Sequence, residues 1–285
     1  MKPIIMTITD GIFFRQGLLL LQTWAKAASE LHVFGYDLNH MQIRIVKDHG
    51  AIFHEIKFED YRERMMFYKI VLIRDMLRQM KKGWLTYIDF DTMVSKPWNQ
   101  ACFTHDYDIG ITIRPQNKRS PNLHVNAGVM FLRASKKSKA FFTWYTNVME
   151  AYARGETPSP DFPLYKELCT TERTSTSNLG WWCDQTFLSA IVEEYYRRDG
   201  MFEFGDIPRI FEFAGYKIAL FPCPQFNDTS EFTLEDLKSR DYRRTRHIIH
   251  FKGKRKKVYA EALPLFLRDT QLYKLAYRRG KRKNK

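Results

Sequence analysis

Two aspartates stand two residues apart in the stretch IDFDTMVSKP, directly after the run WLTYI at residues 84–88. From this position Asp89 and Asp91 can turn toward one hard divalent cation, which takes several oxygen ligands and can share some of them with a diphosphate. A solvated turn with two acids is the alternative for an isolated pair. Since WLTYI is typical of a strand buried on both faces, the stretch favours a metal and diphosphate site at the end of that strand.

The same two acids allow a second chemistry. An apolar strand followed by DxDx(T/V) is the nucleophile motif of haloacid-dehalogenase-like phosphatases, in which the first Asp attacks and the second serves as acid and base. Met93 stands where Thr or Val is expected, and three βα units precede the motif. The stretch GDIPRI at residues 205–210 also lacks the second acid of the downstream pair that such a phosphatase needs.

Two further stretches offer groups for a sugar. In HVNAGVMFLR, Asn126, Ala127 and Gly128 precede an apolar strand, where glycine allows close approach of a ligand and asparagine offers both a donor and an acceptor to hydroxyls. In GWWCDQTFL, Asp184 and Gln185 open a helix near its positive N-terminal end. An ordinary turn and an ordinary helix cap are the alternatives.

The stretch IIHFKGKRK has the order HxxGxxK, with His250, Gly253 and Lys256. An imidazole can complete a metal site begun by two carboxylates, while a lysine and the backbone N–H groups near a glycine can neutralise a diphosphate. A histidine at the end of a strand is more often packed and hydrogen-bonded, but the lysine run beside it supplies a phosphate partner.

An alternation of strands and helices must position these residues. We predict strands at residues 3–9, 31–35, 51–56 and 84–88 and helices at 15–29, 39–49 and 61–82, which indicates an α/β fold with a mainly parallel sheet. Ligands bind beyond the carboxyl ends of strands in such sheets, where the two acids lie. Later strands are predicted at 107–113, 125–132, 216–221 and 247–251, helices at 135–153 and 184–198, and a long loop at 154–180.

Taken in order, the four stretches resemble the glycosyltransferase A fold, and most closely the retaining family of glycogenins and bacterial lipopolysaccharide galactosyl- and glucosyltransferases. The resemblance spans about residues 3–257, although Lys257 and Val258 stand where that family usually has Pro-Trp. It implies one Rossmann-like nucleotide-diphospho-sugar transferase domain at residues 1–257, with a central mixed, mainly parallel sheet, followed by a basic amphipathic helical tail at 258–285. It also implies transfer of a hexose from a nucleotide sugar, expected to be a UDP-sugar, to a glycan or glycolipid acceptor with retention.

The resemblance further assigns residues. Asp89, Asp91 and His250 would hold Mn²⁺ or Mg²⁺, and Gln185 and Asp184 would lie beside the reacting anomeric carbon. The donor would contact Thr7, Thr9, Asp10, Lys69, Asp89, Asn126, Ala127, Gly128, Gly253 and Lys256. The acceptor site is expected to involve the loops at residues 114–122 and 154–180.

The net charge of +14 is concentrated at the C-terminus, where residues 238–285 hold 18 Lys and Arg against 3 Asp and Glu. Apolar residues among these charges suit an anionic membrane surface; a helix packed on the catalytic domain with a solvated basic end is the alternative. No recognition motif supports specific nucleic-acid binding. Four scattered cysteines indicate neither a disulfide framework nor a zinc knuckle.

The apolar runs are too short to cross a bilayer, and the first residues reach Asp10 without the pattern of a secretory signal. We therefore expect a cytoplasmic protein, with peripheral attachment to the inner face of the membrane as the role of its tail.

Overall fold

The computed structural model describes residues 2–114, 123–171, 183–200, 208–253, 255–268 and 272. The strands are β1 (Ile4–Asp10), β2 (Glu30–Tyr36), β3 (Ile52–Glu55), β4 (Trp84–Ile88), β5 (Thr92–Val94), β6 (Ile109–Ile113), β7 (Val125–Arg133), β8 (Arg209–Phe213), β9 (Tyr216–Pro222) and β10 (Ile248–His250). The helices are α1 (Leu18–Thr23), α2 (His40–Asp48), α3 (Met65–Gln79), α4 (Asn99–Cys102), α5 (Lys136–Ala153), α6 (Pro163–Thr171), α7 (Cys183–Asp199), α8 (Cys223–Phe226), α9 (Leu234–Lys238), α10 (Arg240–Arg244) and α11 (Arg255–Phe266).

Eight strands form one sheet in the order β3-β2-β1-β4-β7-β6-β9-β8. β7 is antiparallel to both of its neighbours and β8 is antiparallel to β9, while the other pairs are parallel. The prediction of an α/β fold with a mixed, mainly parallel sheet is confirmed. A separate two-stranded sheet joins β5 to β10 in antiparallel register.

The sheet is buried on both faces. Residues of β4 alternate between two hydrophobic clusters, with Leu85 and Tyr87 in the one that includes α3, α5 and α7, and Ile88 in the one that includes α1 and α11. This alternation confirms that WLTYI is an interior strand, and burial of such side chains contributes about 25 cal/mol per Å² of apolar surface. The carboxyl end of β4 is therefore held rigidly within the sheet.

Several predicted boundaries differ from the structure. The α-helix predicted at 15–29 covers only Leu18–Thr23, with 3₁₀ turns at Phe14–Gly17 and Trp24–Ala27. The predicted loop at 154–180 was wrong for its middle part, where α6 forms because Phe162, Tyr165 and Leu168 are buried in the core. The polar residues around Phe162, Tyr165 and Leu168 in the sequence obscured the helical spacing of these apolar side chains. Residues 115–122 and 172–182 lie outside the described residues, including much of the two loops expected at the acceptor site.

The first part of the predicted tail packs on the rest of the chain. Tyr259, Ala262 and Leu263 of α11 are buried, as are Leu267 and Leu272 beyond it. The Tyr259 hydroxyl donates to the Arg15 carbonyl oxygen at 2.8 Å and accepts from the Leu18 N–H at 3.1 Å. The packed-helix alternative thus describes this part, and the basic residues 273–285 lie outside the described residues. Within the described part, no helix has the length and apolar character needed to span a bilayer.

Candidate active site

The two sheets together bring His250 to the aspartates. Asp89 leaves β4 with its N–H donating to the Gly128 carbonyl oxygen at 2.7 Å. Three residues later β5 begins, and its pairing sets Thr92 opposite His250. The imidazole Nε2 consequently lies 3.1 Å from Asp91 Oδ1 and 3.6 Å from Asp89 Oδ2. The structure thus unites the first and last predicted stretches.

The three side chains fit a divalent cation. One ligand atom from each of Asp89, Asp91 and His250 lies within 4.8 Å of the others. The imidazole is buried, while the carboxylates remain 31% and 21% exposed, so that the cluster opens to one side. Two carboxylate oxygens and one imidazole nitrogen suit Mn²⁺, and Mg²⁺ through the oxygens, with positions left for phosphate oxygens.

Gly128 lies directly behind this cluster. A Cβ at this position would stand 2.7 Å from Asp89 Oδ2 and 2.7 Å from His250 Cε1, too close for either atom to stay in place. The Gly128 N–H donates to Asn126 Oδ1 at 3.1 Å. The Asn-Ala-Gly stretch therefore serves the cluster by leaving space, which its sequence alone did not indicate.

Lys69 and Asp184 form an ion pair beneath the cleft, with the side chains 5% and 0% exposed. Lys69 Nζ also donates to the Ala127 carbonyl oxygen at 3.2 Å. Burial by itself lowers the pKa of Lys69, but the negative charges of Asp184 and Asp89 outweigh it and hold the pKa above its ordinary value. Lys69 is therefore protonated, and its ion pair with Asp184 ties α3 to the start of α7.

A tyrosine connects this pair to the cluster of Asp89, Asp91 and His250. The Tyr87 hydroxyl donates to Asp89 Oδ1 at 2.8 Å, and Lys69 Nζ lies 5.1 Å from the centre of the Tyr87 ring. Tyr87 was not predicted as a site residue, because inside the apolar run it has the pattern of a core residue. Its hydroxyl fixes one carboxylate oxygen of Asp89.

Gln185 faces the cleft beside a partly buried cation, Arg114. Arg114, which follows β6, donates through Nη2 to Gln185 Oε1. Because a guanidinium has no acceptor, the amide must direct its oxygen toward Arg114 and its NH₂ group elsewhere. Burial, with the positive charge of Arg114 as the next cause, lowers the pKa of Lys252 in the same cleft to about 8. The sequence predicted Arg114 only as the first residue of a loop.

The end of β1 forms another wall. Asp10 Oδ1 accepts from the N–H groups of Ile12 and Phe13 at 2.8 and 2.7 Å, which shapes the turn after the strand. Thr9 lines the cleft next to Asp10, whereas Thr7 is fully buried.

The segment after β10 closes the cleft. Gly253 has φ +62°, a left-handed conformation that favours glycine, and apart from its chain neighbours no atom of the described residues lies within 4 Å of where its Cβ would be. Lys256 Nζ lies 5.3 Å from the centre of the Phe13 ring. Burial raises the pKa of Asp91, but His250 and then Lys256 outweigh it and bring the pKa below its ordinary value.

These walls enclose a cleft of about 470 Å³. The predicted site residues that line it are Thr9, Asp10, Lys69, Asp89, Asp91, Gln185, His250, Gly253 and Lys256. The remaining five are buried and do not line it: Thr7, Asn126, Ala127, Gly128 and Asp184.

One buried asparagine of this region was not predicted at all. Asn227, directly after α8, has its Oδ1 2.9 Å from His250 Nδ1. It stands alone in the stretch QFNDTS, which resembles an ordinary turn. The nearby Asn126 Nδ2 is buried and has no hydrogen-bond partner among the residues that the structure describes.

No protein-family model matches the chain, and no curated protein sequence matches it. Among solved structures it resembles the galactosyltransferase LgtC in complex with donor and acceptor sugar analogues, with 11% identity, 88% of this chain and 87% of that chain covered, and a TM-score of 0.49. An active-site mutant of LgtC has 12% identity, the same coverage and a TM-score of 0.48. A glycosyltransferase involved in glycosylation of the major capsid of PBCV-1 has 14% identity, 92% and 100% coverage, and a TM-score of 0.44. The chain is similar in structure to these glycosyltransferases over most of its length.

Proposed function

We propose that this chain is a metal-dependent glycosyltransferase that moves a hexose from a nucleotide-diphosphate sugar, with UDP as the expected carrier, to a glycan or glycolipid acceptor with retention. The observation that carries the proposal is the convergence of Asp89, Asp91 and His250 in one cleft with three lysines, Lys69, Lys252 and Lys256. The cleft has a volume of about 470 Å³, which lies in the range of small-molecule binding sites.

In this proposal Asp89, Asp91 and His250 hold Mn²⁺ or Mg²⁺, which when bound would offset negative charge on the departing diphosphate. Lys256 reaches the same cleft from α11, and the left-handed turn at Gly253 lets the backbone pass close to the phosphates. Fixed cations at the place where charge develops are the largest contribution expected for such a reaction. Thr9 and Asp10, with Thr7 behind them, would face the nucleoside.

At the reacting carbon we propose a division of roles between neighbours. Gln185 lines the cleft and would present its NH₂ group, since Arg114 holds its oxygen. Asp184 is buried and would act through Lys69, with which it is paired. Asn126, Ala127 and Gly128 would support the donor sugar from behind the metal ligands. The acceptor hydroxyl would then attack on the face from which the diphosphate leaves.

The proposal is tested with purified protein and a panel of nucleotide sugars in Mn²⁺, Mg²⁺ or EDTA. We expect one donor to raise the melting temperature and to be hydrolysed slowly, with both effects lost in EDTA. Replacing Asp91 with Ala should abolish metal-dependent hydrolysis, whereas Asp106→Asn, which affects an exposed acid paired with Lys217 and Arg133, should not change it. Undiminished turnover by the Asp91 variant would contradict the proposal.

The same experiment separates the alternative chemistry of the aspartates. A haloacid-dehalogenase-like phosphatase would turn over a generic phosphomonoester and respond to no nucleotide sugar. In such an enzyme the second Asp serves as acid and base, whereas here Asp91 lies 3.1 Å from an imidazole nitrogen, which suits shared coordination of a cation. We therefore prefer the transferase.

We further propose that residues 1–257 form the catalytic unit and that the basic end of residues 258–285 contacts an anionic membrane surface from the cytoplasmic side. The support is the charge: residues 273–285 hold seven Lys and Arg and no acid. Each such residue near anionic lipid contributes about 1 kcal/mol. A lipid-linked acceptor would be reached from this position.

A further inference from the structure

We propose that Asn227 is a positioning residue of the metal site: its side-chain amide fixes the tautomer and the ring orientation of His250, so that Nε2 faces the two aspartates. The inference rests on the proposed metal-dependent function for its purpose. Its geometry can nevertheless be tested in protein without metal.

The orientation of the amide follows from its partners. Asn227 Nδ2 lies 3.2 Å from the Asn126 carbonyl oxygen and 2.9 Å from Thr112 Oγ1. A carbonyl oxygen only accepts, so a donor must face it. The Thr112 hydroxyl donates its own proton to the same Asn126 carbonyl oxygen at 2.7 Å, which leaves its lone pairs to accept. Both partners therefore require the NH₂ group on this side of Asn227.

The tautomer of the histidine follows from the amide. With NH₂ directed at Asn126 and Thr112, the Asn227 oxygen faces His250 Nδ1 at 2.9 Å. An amide oxygen cannot donate, so Nδ1 must carry the proton. In the neutral ring Nε2 then has a lone pair, and it lies 3.1 Å from Asp91 Oδ1. A metal-binding histidine needs this tautomer, since the nitrogen that binds the cation must be unprotonated.

The two side chains are held in place as one unit. Asn227 is fully buried and His250 is 1% exposed, so water competes poorly for their hydrogen bond. The next residue, Asp228, receives the His250 N–H on its carbonyl oxygen at 3.0 Å and donates its own N–H to the Ile248 carbonyl oxygen at 2.9 Å. The Asp228 carboxylate is in turn buried against Arg246 at 2.6 Å. The segment of Asn227 therefore moves with β10.

Asn227 also links two parts of the predicted site. It contacts the carbonyl of Asn126 on β7 and the imidazole on β10, strands that belong to different sheets. The support for the donor sugar and the third metal ligand are thereby kept at a fixed separation. Loss of such supporting hydrogen bonds to metal-binding histidines weakens metal affinity about 10- to 100-fold.

The first test measures the tautomer. In metal-free protein labelled with ¹⁵N-histidine, long-range NMR correlations distinguish Nδ1–H from Nε2–H, and a His250→Gln variant assigns the signal among the eight histidines. We expect Nδ1–H in the wild type, a mixture of tautomers in Asn227→Leu, and Nδ1–H again in Asn227→Asp, which keeps an acceptor oxygen. A wild-type His250 whose Nδ1 carries no proton would overturn the proposal even if the leucine variant did not fold.

The second test measures Mn²⁺ binding by electron paramagnetic resonance. Asn227→Leu should bind about 10- to 100-fold more weakly than the wild type. The matched control is Asn99→Leu, since the Asn99 amide donates to the Ala27 carbonyl oxygen away from the cleft. Unchanged affinity and tautomer in a folded Asn227→Leu would overturn the role of Asn227. Absence of Mn²⁺ binding by a wild type with Nδ1–H would instead overturn the proposed metal function and leave the hydrogen-bond relation standing.

Discussion

Gly128 and Asp89 lie so close together that a Cβ on residue 128 would stand 2.7 Å from Asp89 Oδ2. On its other side, the same Cβ would stand 3.0 Å from His250 Nδ1. Residue 128 must therefore be glycine, because a side chain would collide with two proposed metal ligands. This is a physical reason for the glycine of the Asn-Ala-Gly stretch.

Replacing Gly128 with Ala should displace the Asp89 carboxylate, because the imidazole on the other side is buried and held by Asn227. We expect at least 10-fold weaker Mn²⁺ binding, measured by titration calorimetry. Gly155→Ala is the control: Gly155 has φ +75°, and apart from its chain neighbours no atom in the described part of the chain lies within 4 Å of an added Cβ. It should lower the free energy of unfolding by about 1 kcal/mol and leave Mn²⁺ affinity unchanged. Equal Mn²⁺ affinity in both variants would contradict the prediction that a Cβ at residue 128 displaces the Asp89 carboxylate.

The ion pair of Lys69 with Asp184 can be tested by comparing the free energies of unfolding of a single and a double variant. Lys69→Met should lower the free energy of unfolding by about 3 kcal/mol, because it leaves a buried carboxylate without its partner. The double variant Lys69→Met/Asp184→Leu should regain most of this loss in urea unfolding. Donor hydrolysis should stay low in both variants, since the cleft loses a cation. Full recovery of hydrolysis in the double variant would show that the pair serves stability alone.

His247 makes stability depend on pH. Burial, followed by the charge of Lys96, lowers the pKa of His247 to about 4, and its Nδ1 donates to the Pro97 carbonyl oxygen at 2.6 Å. His247 is therefore protonated below about pH 6.5 in the unfolded chain, but only below about pH 4 in the folded chain. Stability is complete above this window and falls as the pH falls through it.

Between pH 7 and pH 5 the wild type should accordingly lose about 1 kcal/mol more free energy of unfolding than His247→Gln, after allowance for partial exposure to solvent. Urea unfolding at the two pH values measures this difference. His40→Gln, at an exposed histidine, serves as control and should follow the wild type. Identical losses in wild type and His247→Gln would contradict the assignment.

Deletion of residues 273–285 tests the basic end of the tail and keeps Leu267 and Leu272, which are buried. We expect an unchanged melting temperature, unchanged donor hydrolysis, and loss of binding to vesicles with anionic lipid in a sedimentation assay. Neutral vesicles should bind neither protein. Binding to anionic vesicles that survives the deletion would place the contact elsewhere.

The sequence predicted the parts of the site that belong to patterned stretches. The apolar run WLTYI before Asp89 predicted a buried strand. The alternation of strands and helices predicted a parallel sheet, and hence a site at the carboxyl end of that strand. His250 followed from its order relative to Gly253 and Lys256, although only the pairing of β5 with β10 explains its approach to Asp91. β5 itself has three residues, too few for a periodic pattern.

Single residues with no pattern around them were missed. Asn227 and Tyr87 each contact the cluster of Asp89, Asp91 and His250 through one hydrogen bond, and their neighbours in the sequence suggest a turn and a core strand. Asp184 was predicted as a site residue, but its burial against Lys69 depends on the packing of α3 against α7, which local sequence does not encode.

The pairing of β5 with β10 also has a consequence for the order in which the protein is made. Asp89 and Asp91 leave the ribosome long before His250, and β5 has its antiparallel partner only when residues 248–250 have followed. A chain interrupted before β10 carries the two acids without the imidazole. Incomplete copies would thus lack a finished centre, and uptake of the cation would report that synthesis has reached the last strand.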